Sequence, residues 1–145
     1  MDNKKPLKID IDELCNVMED HSFDNEYYLD LETGEILFVS EYMNDEVIDI
    51  KNRIEEEYER FERIPQTESY EAYRDMEDFI ATIDDKHLAD LLEVAIQGKG
   101  AFRRFKDVLL NHPDEEEKWF QFHDDRTEER AREWLDQIGV TLIEE

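Results

Sequence analysis

The stretch Glu26-Tyr27-Tyr28-Leu29-Asp30-Leu31-Glu32-Thr33-Gly34-Glu35-Ile36-Leu37-Phe38-Val39-Ser40 decides the fold class of this chain. Tyr27, Leu29 and Leu31 alternate with Tyr28 and Asp30, the period-two pattern of a strand with one inward face. Glu32-Thr33-Gly34-Glu35 interrupts it with a glycine free to take positive φ, and Ile36-Leu37-Phe38-Val39 is expected to return as the more buried strand. The pattern predicts a β-hairpin over 26–40. A third strand is predicted beside it over 60–64, ended by Pro65, because the residue before a proline favours an extended backbone.

Outward from the hairpin the periodicity is helical. Asp10 and Glu13 have capping-box spacing, with Ile9 and Leu14 placed as a hydrophobic staple. Ile11, Leu14, Cys15 and Met18 give the first helix its apolar face. Asn44 is placed to cap a second helix to about Glu57, with Val47, Ile48, Lys51 and Ile54 on one side. Thr67 or Ser69 caps a third, with Tyr73, Met76, Phe79, Ile80 and Ile83 inward. Asp84 or Asp85 caps a fourth, with Leu88, Leu91, Leu92, Ala95 and Ile96 inward, and Gly98 suits its C-terminal cap. A fifth runs over 101–110. Pro113 opens the last, whose stripe is Phe120, His123, Thr127, Ala131, Trp134, Leu135 and Ile138. Gly139 stops it before a short extended tail over 140–143. The expected architecture is α+β and mainly helical, with a small antiparallel sheet from the N-terminal hairpin packed on a C-terminal helical group. One domain is expected over 9–145, preceded by a flexible arm over 1–8.

Charge then narrows the function classes. The chain has 145 residues, 42 of them acidic against 17 Lys and Arg, a formal charge of −25. Its 39% hydrophobic content, with 11% aromatic residues, suffices for one core without metal or disulfide staples. A surface this negative repels nucleic acid at long range, which disfavours nucleic-acid binding. The one cysteine, Cys15, makes no internal disulfide and reads as a small buried residue. No apolar run is long enough to span a membrane, and no signal-peptide core follows the first residues, so a cytoplasmic protein is expected. His21, His87, His112 and His123 form no HxxxH pair, and neither an EF-hand spacing nor a Gly-x-Ser-x-Gly motif occurs. No catalytic residue, metal or cofactor is therefore assigned, and the leading reading is not an enzyme.

One segment reverses the charge. Residues 98–112 hold Lys99, Arg103, Arg104 and Lys106 against the single acid Asp107, a local balance of +3. Two glycines, Gly98 and Gly100, bracket Lys99 where a helix begins. Phe102, Phe105 and Leu109 have i, i+3, i+7 spacing and are expected in the core, with Arg103, Arg104 and Lys106 paired to carboxylates at a helix packing surface. The same segment suits a small anionic ligand, because free N–H groups and the helix dipole favour anions at a helix start. A helix-turn-helix is compatible with the glycine turn, although two phenylalanines and acidic flanks oppose DNA reading. The candidate ligand- or partner-binding residues are Lys99, Gly100, Arg103, Arg104 and Lys106.

Several segments together resemble a bacterial family of unknown function, number zero-one-five-eight in the uncharacterised-protein-family series. They are Tyr27 to Glu35, Arg63-Ile64-Pro65, Met76-Glu77-Asp78-Phe79-Ile80, Gly98 to Asp107, Trp119-Phe120 and Ala131-Arg132-Glu133-Trp134-Leu135. The resemblance implies a small cytoplasmic bacterial protein and transfers no functional residue. The residues themselves favour a non-enzymatic interaction or regulatory protein that meets an unidentified protein partner through the basic 98–106 segment. Two alternatives stand beside it. One is an enzyme or sensor that binds a phosphorylated small molecule at the helix start near Gly100. The other is an acidic nucleic-acid mimic that binds a basic protein. Nothing in the sequence fixes an oligomeric state.

Overall fold

The computed structural model describes residues 5–20, 25–40 and 45–143. The expected cap Asn44, like His21, lies outside them. The described residues form an α+β structure, mainly helical, with a small antiparallel sheet. They fall into two compact units, Met1–Thr67 with Thr127–Glu145, and Glu68–Arg126.

Among the described residues, all the strands lie in the first unit. β1 (Lys5–Leu7) precedes α1 (Ile11–Met18), β2 (Asn25–Asp30), β3 (Ile36–Ser40), α2 (Asp45–Glu56) and β4 (Phe61–Arg63). β3 and β4 flank β2, both antiparallel to it, with Tyr27 opposite Phe38 and Leu29 opposite Glu62. The hairpin and the strand before Pro65 both form, but β2, with Leu29 and Asp30 buried, is more buried than β3, whose Phe38 is exposed. Gly34 has φ +80, and a Cβ there would come 2.2 Å from the Lys8 carbonyl oxygen, so only glycine fits this turn. Lys5–Leu7, within the stretch expected to be an arm, pairs in parallel with β5 (Val140–Leu142) at the other end of the chain.

The core of this unit gathers Leu14, Val17 and Met18 from α1, Leu29 from β2, and Ala131, Trp134 and Leu135 from the C-terminal half of α6 (Pro113–Gln137). Asp10 caps α1 as the spacing predicts, accepting from the N–H groups of Asp12 and Glu13, both at 3.1 Å. At the far end of α1, one oxygen of Glu19 accepts from the hydroxyls of Thr127 at 2.8 Å and Thr67 at 3.3 Å. Both threonines are buried. Thr67 also donates its backbone N–H to the Met18 carbonyl at 2.8 Å. These two residues are the last and first of the first unit at the points where the chain leaves it and returns.

The second unit is helical. α3 (Ser69–Ile80), α4 (Lys86–Ala95), α5 (Ala101–Leu109) and the first half of α6 enclose Met76, Phe79, Ile80, Leu88, Leu92, Phe105, Leu109 and Trp119. Asp85 caps α4, bonding the N–H groups of His87 and Leu88. The cap of α3 is Glu68 rather than Thr67 or Ser69: its backbone N–H donates to the Glu71 carboxylate at 3.1 Å, while Thr67 is occupied with Glu19. The helical registers also need correction at three positions. Leu91, Phe102 and Phe120, expected inward, are exposed. Trp119 takes the core position in α6, ringed by Phe79, Phe105 and Phe122 at 4.8–6.2 Å between centroids. One such ring excludes its sequence neighbour, because adjacent residues on a helix point about 100° apart.

Candidate functional site

The basic segment is a turn followed by a short helix, and its construction begins with what α5 buries. Ala101, Phe105 and Leu109 lie inward at i, i+4, i+8. Phe105 meets Phe79 and Trp119 edge-on, at 6.3 and 4.8 Å. This register, rather than the 102–105–109 stripe read from sequence, turns Phe102 outward at 43% exposure. Gly98 and Gly100 both have positive φ, +74 and +77, which lets the chain reverse between α4 and α5 within a few residues.

Arg104 locks that reversal. Its Nε donates to the Ala95 carbonyl at 2.8 Å, and its two terminal nitrogens donate to the carbonyls of Lys99 and Gln97. The last carbonyls of a helix lack intrahelical partners, and the dipole makes that end negative, so a guanidinium satisfies both the bonding and the charge. A Cβ on Gly100 would stand 3.2 Å from Arg104 Nη1, so the glycine leaves room for the guanidinium as well as supplying the turn. The carboxylate partner anticipated for Arg104 is thus replaced by three backbone oxygens.

Arg104 is itself exposed, and the other charged candidates differ from it in lacking such bonds. Lys99, Arg103 and Lys106 are exposed, and none makes an ion pair with a carboxylate among the described residues. At 100° per residue Phe102, Lys106, Leu110 and Arg103 fall within roughly 100° of arc beside the buried stripe of α5, with Phe102 next to it and Arg103 farthest from it. Leu110, which continues the helical backbone as its C-cap, is 65% exposed. The face therefore carries two apolar side chains and two cations, with Lys99 at its leading end. Gly100 has no side chain to cap the helix, and the first bond of α5 is Arg104 N–H to the Gly100 carbonyl at 3.0 Å. The N–H groups of Ala101, Phe102 and Arg103 precede that bond.

Sequence reasoning missed a second polar centre, in the first unit. Asp30, read as an outward residue of the hairpin, is 1% exposed. Arg60 grips it with two parallel bonds, Nε to Oδ1 at 2.9 Å and Nη2 to Oδ2 at 2.8 Å, and the Glu32 N–H adds a third at 2.9 Å. The Arg60 bonds hold the Asp30 carboxyl down at about 2 despite its burial, and the same pairing raises the guanidinium further above its ordinary value. Arg60 also lies over the Phe61 ring at 5.4 Å. The cue available in sequence was the arginine that opens the predicted third strand. An open depression of about 630 Å³ lies beside this pair, lined by Lys5, Leu31, Glu32 and residues 56–60. Arg60 is engaged by Asp30, Glu32 and Glu57. No group of three or more His, Cys, Asp or Glu among the described residues is arranged to hold a metal.

The sequence matches the uncharacterised protein family UPF0158 over residues 4–145. The chain belongs to that family. It is 30% identical over 136 residues to UPF0158 protein PA5073 of Pseudomonas aeruginosa, covering 94% of this chain and 86% of the relative. It is 32% identical over 137 residues to a UPF0158 protein of Chlamydia trachomatis, covering 91% of this chain but only 41% of that longer relative. A UPF0158 protein of Chlamydia pneumoniae is 33% identical, with the same coverage of both chains. No solved structure matches. The family is uncharacterised and its function unknown. No helix among the described residues is long and apolar enough to cross a membrane.

Proposed function

We propose that this chain is a non-enzymatic, cytoplasmic interaction or regulatory protein whose contact surface is the turn and helix over residues 98–106. Within it the five candidate residues divide their work. Gly100 and Arg104 hold the turn, and Lys99, Arg103 and Lys106 meet the partner. The observation that carries the reading is that these three cations stand exposed and without ion pairs among the described residues, in a chain of charge −25, beside the exposed ring of Phe102. Cations left over amid such an excess of carboxylates retain their full charge for a partner, and an adjacent apolar ring adds contact area once water is excluded.

The test uses the full chain as bait, wild type beside Arg103→Glu/Lys106→Glu. Specific capture from the native host is expected with the wild type and lost with the variant, at unchanged melting temperature. Retention of the same partners by the variant would sink the reading. A second reading, a phosphorylated small molecule at the start of α5, draws on the uncapped N–H groups after Gly100 beside Lys99. It requires thermal stabilisation by sugar phosphates or nucleotides at low salt. Melting temperatures that no such anion moves would remove it.

A further inference from the structure

We infer that the occupant of the α5 surface is an acidic amphipathic helix of a partner protein. This inference rests on the docking reading above and specifies its partner. Three observations lead to it. The first is shape. Phe102, Lys106 and Leu110 stand at i, i+4, i+8, a single exposed ridge about 12 Å long. Ridges of this i±4 kind seat in the grooves of another helix. The second is composition along the ridge. Phe102 and Leu110, 43% and 65% exposed, are apolar anchors. The methylene stem of Lys106 between them continues the apolar track while its ammonium reaches to one side. The third is charge. Arg103 flanks the ridge, Lys99 precedes it, and neither they nor Lys106 have an ion pair among the described residues, so carboxylates flanking an apolar stripe are the complement this face lacks.

The same charge distribution selects against a long polyanion. The island is short, and the rest of the chain carries the balance of the −25. A nucleic acid extending beyond the island would run over acidic surface. A helix of three or four turns contacts only the basic face, and at physiological ionic strength repulsion from charges beyond about 8 Å is largely screened. The recognition mode is an amphipathic helix laid by its apolar side against a complementary face, with the carboxylates fixing orientation.

A random peptide library of about 16-residue members, roughly four helical turns, selected on the full-length protein tests this directly. The selection is counter-screened against Arg103→Glu/Lys106→Glu and, separately, against Phe102→Ser. The enriched peptides should be acidic, with apolar residues at i, i+3/i+4 spacing, and should gain helical circular dichroism on binding. Their affinity should fall about tenfold or more with either variant, and severalfold between about 50 and about 300 mM salt. Arg103→Glu/Lys106→Glu should melt with the wild type, since it breaks no ion pair among the described residues. Phe102→Ser also removes the covered part of a ring 43% exposed, and should melt somewhat lower while remaining folded. Enriched peptides that need the α5 face but are neutral or basic overturn the inference and leave the docking reading standing. Peptides indifferent to both variants, or no enrichment at all, remove both. Dimerisation of the wild type that both variants abolish replaces the helix with a second copy of this chain, and a single-stranded oligonucleotide binding the face more tightly than any selected peptide replaces it with nucleic acid. Either result overturns the inference.

Discussion

Arg60 in the first unit and Arg104 in the second are both fully engaged within the chain, yet they meet opposite partners. Arg60 takes a carboxylate that is 1% exposed. Arg104 takes three neutral carbonyls, that of Ala95 at the end of α4 and those of Gln97 and Lys99 in the turn that follows. With 42 acids in the chain, number alone would supply a carboxylate partner for every arginine. It does not, because pairing depends on where the backbone delivers each group. Strand β2 ends at Asp30 just where the chain enters β4, and low local dielectric strengthens the bidentate pair. The glycine turn instead delivers the guanidinium of Arg104 to the Ala95 carbonyl at the helix end and to two carbonyls of the turn itself. The consequence for function is direct. Asp30 cancels the charge of Arg60, whereas no acid cancels that of Arg104, and the island stays positive.

The sharpest way to break this comparison is to remove the acid. Asp30→Asn keeps the shape but strips the charge from a buried, triply bonded carboxylate, and should cost about 2–3 kcal/mol in urea unfolding. A loss below ~0.5 kcal/mol would mean that the pair contributes no net stability. Acid titration sharpens the same point. The folded carboxyl is held at about 2 against an ordinary 3.8. Its stabilisation is therefore complete above pH ~5 and is lost as pH falls towards 2, a change of roughly 2 kcal/mol. The stability difference between wild type and Asp30→Asn should narrow across that window. A difference independent of pH would count against the assignment.

In the second unit the expected effects are smaller. Arg104→Met leaves three carbonyls to water and should cost ~1–2 kcal/mol. Arg104→Lys should recover only part of that loss, because one ammonium cannot serve three diverging oxygens. An equal loss from Arg103→Met would erase the distinction between the neighbours. Arg103→Met is instead expected within ~0.5 kcal/mol of wild type, as for a surface residue without internal contacts.

What the sequence revealed was local. The hairpin, the strand before Pro65, the Asp10 and Asp85 caps, the Pro113 start and the glycine turn each depend on residues a few positions apart, and each is present in the structure. What it concealed depended on neighbours distant along the chain. Asp30 meets Arg60 thirty positions later, and Thr67 and Thr127 meet Glu19 across still longer separations. Register within a helix was concealed for a related reason. Phe102 and Phe105 lie at a spacing that suits one face, but Trp119 and Phe79 decide which side of α5 is inside. The candidate site was legible as a charge contrast and as a turn. The division between the arginine that holds the turn and the cations left without internal bonds became visible only when the carbonyls of Ala95, Gln97 and Lys99 were in place.

The carboxylate of Glu19 also bears on how this protein can be cut and rejoined. Thr67 and Thr127 hydrogen-bond the same oxygen, so the exit and re-entry points of the first unit are neighbours. Everything from Glu68 to Arg126 is then carried between two adjacent stems, as an inserted cassette would be. Ends held this close cost little loop-closure entropy to join. On one side the graft point is the peptide bond that follows Thr67; on the other the boundary before Thr127 falls inside α6, so a graft there must continue that helix.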